Sequence, residues 1–130
     1  MYRMSIPSNL YYTKDHEWLL PEADNLVRVG ITDFAQSALG DIVFVELPTV
    51  GAVVGEGDVI AEVESTKSVS EVYSPISGKV TAVNGELSGS PELINSDPYG
   101  KGWICTIESG DPLNSEKFLF PADYSSITQN

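Results

Sequence analysis

Gly57-Asp58-Val59-Ile60-Ala61-Glu62-Val63 runs into Glu64-Ser65-Thr66-Lys67-Ser68, and then Val69-Ser70-Glu71-Val72-Tyr73-Ser74-Pro75-Ile76-Ser77-Gly78 follows. Both flanks alternate apolar and polar residues with period two, as half-buried strands do. The left flank puts Val59, Ala61 and Val63 on one face, and the right flank stops at a proline and a glycine. Two such strands around a short polar break predict a β-hairpin with Lys67 at or beside its tip. A lysine held out on a short, stiff loop is accessible to other proteins. Taken alone, an exposed turn lysine is most often a solubilising residue, so the hairpin by itself assigns no function.

Outward from the hairpin, the chain reads as many short strands. Leu10 to Leu20 is rich in Tyr, Thr and Trp and predicts one or two strands. Residues 21–25 read as a turn leading to a strand with Val27, Val29 and Ile31 on one face. Thr32 offers an N-cap, Asp33 suits a first helical turn, and Gly40 stands where a C-terminal cap belongs. Asp33 to Leu39 is therefore the one short internal helix expected. Ile42 to Leu47 returns to strand and ends at Pro48, and Gly78 to Val83 is a further strand before an Asn84-Gly85 turn. Gly85 to Lys101 reads mostly as loop, and Trp103 to Glu108 as the last strand. Ser115 to Phe120 and Pro121 to Ile127 each allow a short helix, the second with proline in its first turn. These elements predict an all-β sandwich with a short C-terminal helix.

The chain has 130 residues, enough for one domain with a real core and too few for two of ordinary size. Residues 1–9 read as a loose N-terminal leader and residues 10–130 as a single domain. Nineteen acidic residues against seven basic ones give a formal charge of −12. Such a surface repels nucleic-acid phosphates and anionic membranes, so neither is expected as a partner. The single Cys105 excludes an internal disulfide, and alternation with Trp103 and Ile107 makes it a small buried hydrophobe. No segment has the length or character of a signal peptide or a membrane span, which points to the cytoplasm.

A catalytic site is hard to find. Asp15-His16-Glu17 invites an acid–base or metal reading, yet His16 is the only histidine. In a strand, His16 and Glu17 face opposite ways and do not chelate one ion. No Gly-x-Ser-x-Gly elbow, phosphate-binding loop or dinucleotide fingerprint is present. The chain reads as a protein that is not itself an enzyme.

Resemblance supplies what the residues alone do not. Gly57 to Lys67 together with Ser74-Pro75-Ile76-Ser77-Gly78-Lys79-Val80 resembles the modified-lysine hairpin of lipoyl and biotinyl carrier domains. Tyr12 to Trp18, Gly30 to Gln36, Leu39 to Pro48, and the closing block of Leu93-Ile94-Asn95, Pro98-Tyr99 and Gly102-Trp103 are similar, in the same order, to the glycine cleavage H-protein family. The resemblance covers roughly residues 10–107. It implies the lipoyl-domain barrel-sandwich hybrid and a lipoic acid amide on Lys67, with Glu64, Ser65, Thr66 and Ser68 as its recognition context. It further implies that the aminomethyl group of glycine passes from the pyridoxal-phosphate glycine decarboxylase to a tetrahydrofolate-dependent aminomethyltransferase. Dihydrolipoyl dehydrogenase then reoxidises the arm, and a lipoate-attaching enzyme is a fourth partner. The carrier is expected to be a monomer. Glu17, with Glu71 second, is the carboxylate expected to receive the loaded arm, and Phe34 stands where relatives often carry His. A lipoyl donor to other enzymes, or an unmodified regulatory module, is the alternative reading.

Overall fold

The structure is a computed structural model and describes residues 4–23 and 25–128. Residues 1–3 of the expected leader and Asp24 of the expected turn lie outside the described residues. Among the described residues nine strands form, β1 (Tyr11–Tyr12), β2 (Glu17–Ala23), β3 (Leu26–Ile31), β4 (Ile42–Glu46), β5 (Val53–Val54), β6 (Val59–Ser65), β7 (Val69–Tyr73), β8 (Gly78–Val83) and β9 (Cys105–Glu108). They make a six-stranded sheet in the order β1-β2-β3-β9-β8-β5 and a three-stranded sheet in the order β4-β6-β7. All their pairings are antiparallel.

Apolar residues of both sheets meet between them. Val27, Val29 and Ile31 of β3 are all buried, as their spacing predicts, and join Val63, Val72, Val80 and Ile107 in one cluster. The left flank of the hairpin departs from simple alternation. The register slips between Val59 and Ala61, so Ala61 and Val63 stay buried while Val59 is 46% exposed. A bulge resets which face a strand residue takes, and period-two counting does not see it.

Helix α1 (Asp33–Leu39) has the expected ends: Ala35 N–H donates to the Thr32 hydroxyl, and Gly40 follows with φ of 85°. The strand after it ends at Glu46, one residue short of the expected Leu47. The stretch expected to be mostly loop carries two single turns of helix, α2 (Glu86–Gly89) and α3 (Leu93–Ser96). Each buries one aliphatic side chain, Leu87 and Ile94. Tertiary burial, not helical periodicity, makes them helical, since four residues are too few for a pattern to show. Strand β2 continues through Pro21 to Ala23, where a turn was expected. A 3₁₀ turn at Ser115–Lys117 and helix α4 (Pro121–Thr128) are the last elements of the described residues.

A second apolar cluster of Leu10, Tyr12, Trp18 and Tyr124 fastens both ends of the chain to the body. Tyr12 and Tyr124 stack with centroids 4.6 Å apart. Gly30 faces Trp18 across β2 and β3, and a Cβ there would lie 2.6 Å from the indole, so only glycine leaves room for the ring. Ser5 and Ile6, within the expected leader, make contacts with the body. Ser5 N–H donates to Asp33, the Tyr99 hydroxyl donates to the Ser5 carbonyl, and Ile6 packs on the second cluster.

Candidate functional site: the Lys67 hairpin and its supports

Glu64 pairs with Val69, which leaves Ser65 to Ser68 as the turn and Thr66-Lys67 as its tip. Lys67, Thr66, Ser68 and Glu64 are exposed, whereas Ser65 is only 5% exposed. Ser65 therefore differs from the surface-recognition role expected of it. Its N–H donates to the Ser68 carbonyl at 2.8 Å, and its hydroxyl oxygen accepts from Lys67 N–H at 3.2 Å and Ser68 N–H at 3.1 Å. The serine side chain does in this turn what a backbone carbonyl does in a tighter one.

The tip is also anchored sideways. Thr66 N–H donates to the Asp41 carbonyl, and the Lys67 Cε lies 3.6 Å from where a Cβ of Gly40 would stand. Gly40 and Ile42, either side of Asp41, are held by Asn95. Its amide nitrogen donates to the Gly40 carbonyl and to Gln36 Oε1, both at 2.9 Å, and its oxygen accepts from Ile42 N–H. Gln36 in turn donates to Asp33, which accepts Ser5 N–H. A continuous polar chain thus runs from residue 5 to the loop beside Lys67. Asn95 and Asp41 support the tip, and sequence reasoning assigned neither a role beyond its place in a matching block.

The residues expected to receive a loaded arm do not come together. Glu17 is 2% exposed; its carboxylate accepts from the Thr13 hydroxyl at 2.8 Å and from Tyr73 N–H at 2.9 Å. It ties the β1–β2 turn to the end of β7. Burial raises its pKa above the ordinary value, partly offset by those two hydrogen bonds. Glu17 borders a cleft of about 350 Å³ lined also by Asp15, Tyr73, Pro75, Lys117 and Phe118. Glu71 is exposed and accepts from the Tyr73 hydroxyl at 3.1 Å. Phe34 instead stacks on His16 with centroids 4.5 Å apart.

His16 is not a strand residue. It has φ of 68°, the only non-glycine among the described residues with positive φ, and it closes a turn onto the Thr13 carbonyl. Its Nδ1 lies 2.8 Å from the Tyr124 hydroxyl, which also meets the Thr32 hydroxyl, and burial lowers its pKa. Helix α4 is thereby fixed to the start of α1. Cys105 is fully buried, and burial pushes its thiol up to about 12, the inert behaviour expected of it.

Two antiparallel sheets, the smaller one carrying the exposed Lys67 on its hairpin, have the barrel-sandwich architecture of the lipoyl-domain class. Comparison with known proteins narrows this. The family model described as "Glycine cleavage H-protein" matches residues 10–130. The chain is 68% identical over 102 residues to the glycine cleavage system H protein of Mycolicibacterium smegmatis, covering 78% of each. Against that of Mycobacterium avium it is 61% identical over 114 residues, covering 88% of this chain and 86% of the relative. A crystal structure of the glycine cleavage system H protein from Mycobacterium marinum superposes with a TM-score of 0.84 at 42% identity, covering 94% of this chain and 98% of that one. The chain belongs to the glycine cleavage H-protein family, the carrier subunits of that system.

The turn geometry predicts that Ser65→Ala loses about 1 kcal/mol of unfolding free energy, because two N–H groups lose their acceptor at a site water partly reaches. Amide exchange at Lys67 and Ser68 should quicken in that variant; unchanged exchange would remove Ser65 from turn closure. A second prediction follows from Glu17. A carboxyl whose folded pKa is raised contributes stability that is present below its unfolded pKa and lost as pH rises through the folded value. Urea unfolding of wild type and Glu17→Gln from about pH 4 to about pH 7 should show the variant gaining relative to wild type as pH rises. The opposite slope would contradict burial as the dominant influence on Glu17.

Proposed function

We propose that this chain is the lipoylated carrier of glycine cleavage, taking lipoic acid as an amide on Lys67. The observation that carries the reading is the exposed Lys67 on a tip whose backbone is fixed by Ser65 and Asp41. The site fits the group: the lysine nitrogen forms no ion pair among those of the described residues, and Thr66, Lys67 and Ser68 are exposed. When bound, the lipoyl group supplies a long tether and a reducible disulfide that can take up the aminomethyl unit. The protein's own contribution is mechanical and electrostatic.

The hairpin holds the root of the arm in one place, so the reactive end stays at high local concentration near whichever enzyme has docked. Partners in this reading are the glycine decarboxylase, the aminomethyltransferase, dihydrolipoyl dehydrogenase and the lipoate-attaching enzyme. The −12 charge steers those with basic docking faces. Glu17 keeps a part in this reading as a wall of the cleft that shelters the loaded arm from water. The support is the cleft volume and the residues that line it, with Thr13 and Tyr73 holding the carboxylate in position. Glu71 and Phe34 are not among the residues lining that cleft.

The test is peptide mapping after incubation with lipoate and a lipoate-attaching enzyme. Lys67 alone of the five lysines should gain the lipoyl mass, and Lys67→Arg should abolish carrier activity. That substitution should shift stability by no more than about 0.5 kcal/mol, since the site is exposed. Modification at Lys14, Lys79, Lys101 or Lys117 would refute the assignment.

A further inference from the structure

The outer face of the three-stranded sheet carries a pattern that the fold does not need. Register places Phe44, Glu64 and Val69 in one row across the three strands, and Glu46, Glu62 and Glu71 in the next. Phe44 is 54% exposed and Val69 58% exposed, so the apolar part of this face is open to water. Directly opposed residues of an antiparallel pair lie about 4.5–5.5 Å apart at Cβ, and like charges there repel. The ion pairs among the described residues, Arg28–Glu22 and Lys117–Glu56, involve none of these four acids. Among the described residues, only Glu71 gains a side-chain donor, the Tyr73 hydroxyl. In the isolated chain this face bears exposed apolar area beside a row of three like charges with no ion-pair partner among the described residues. A partner presenting an apolar socket rimmed by Arg and Lys relieves both at once.

We infer that this face is the docking surface for the enzyme that joins lipoate to Lys67, an inference that rests on the lipoyl-carrier reading above. Reach selects this occupant. An enzyme acting at the far end of the arm need not touch the sheet, because the tether delivers the reactive group. An enzyme that acylates the lysine must bring Nζ itself into its active site and so must seat against the hairpin root. Val69 is two residues from Lys67, and the Lys67 stem leans over Gly40, just before the strand that carries Phe44. In the reaction, Nζ as free amine attacks the carbonyl carbon of lipoyl adenylate, formed from lipoate and ATP with release of pyrophosphate. The amide C–N bond forms, the bond to AMP breaks, and the amine's proton passes to solvent.

The experiment uses the full chain, a purified lipoate–protein ligase, lipoate and ATP, with lipoylation rates read by mass spectrometry. Phe44→Ser/Val69→Ser should lower kcat/KM for lipoylation about tenfold or more, as loss of an apolar interface centre does. Glu62→Gln/Glu71→Gln should flatten the salt dependence of that rate. Val53→Ser, a change at a position 82% exposed on the other sheet, should leave it unchanged. Matching thermal unfolding curves establish that each variant is folded; if the apolar pair does not fold, the acidic pair decides. Wild-type lipoylation rates and salt dependence in both pairs overturn the inference. So does intact lipoylation with a weakened interaction with the glycine decarboxylase, which assigns the face to that enzyme. Should wild type itself gain no lipoyl group on Lys67, the carrier reading fails; a lipoylated wild type with unimpaired variants defeats only the docking face.

Discussion

The turn from β6 to β7 has to be closed by something other than its own backbone preference. The tightest favoured hairpin loops need residues with positive φ, usually Asn or Gly. Here no residue from 65 to 68 has positive φ, and none is glycine. The Ser65 hydroxyl closes the turn instead, and the Asp41 carbonyl pins it from the bend just before β4. The lysine is thereby presented on backbone that is ordered for reasons independent of the lysine. Chemistry at Nζ can then change the side chain without disturbing the fold beneath it.

That support reaches far along the chain. Asp41 is in place because Asn95 grips Gly40 and Ile42 on either side of it. Asn95 is in place because Gln36 and the short helix α3 hold it, and Gln36 connects through Asp33 to the N-terminal segment. Polar groups paired this completely add specificity of arrangement as well as stability, since breaking one leaves others unsatisfied. The small sheet alone therefore does not make the site. Blocks of sequence on both sides of the hairpin are needed to aim it.

Much of this was legible in the sequence, and the rest was not for physical reasons. Period-two burial of Val27, Val29 and Ile31, the Thr32 cap, the Gly40 stop and the hairpin around Lys67 are local signals, each settled by residues a few positions apart. Val59 escaped because a bulge shifts the register without leaving a mark in the alternation. Asn95 escaped because its partners stand 53 to 59 residues away, and nothing in an isolated Asn names them. Glu17 is one acid among nineteen by composition, yet the fold buries it and engages both oxygens. Burial of a polar group is set by tertiary neighbours, which pattern reading does not supply.

A carrier role for Lys67 requires the backbone at the hairpin tip to be rigid while the end of the side chain is free. NMR relaxation measures both in one sample. The backbone amides of Thr66, Lys67 and Ser68 should show order parameters of about 0.85, like the sheets, with the Lys67 side-chain Cε below about 0.6. Backbone values at the tip below about 0.6 would contradict the account, because the lysine would then be carried on a floppy loop and the supports from Ser65, Asp41 and Asn95 would have no function to serve.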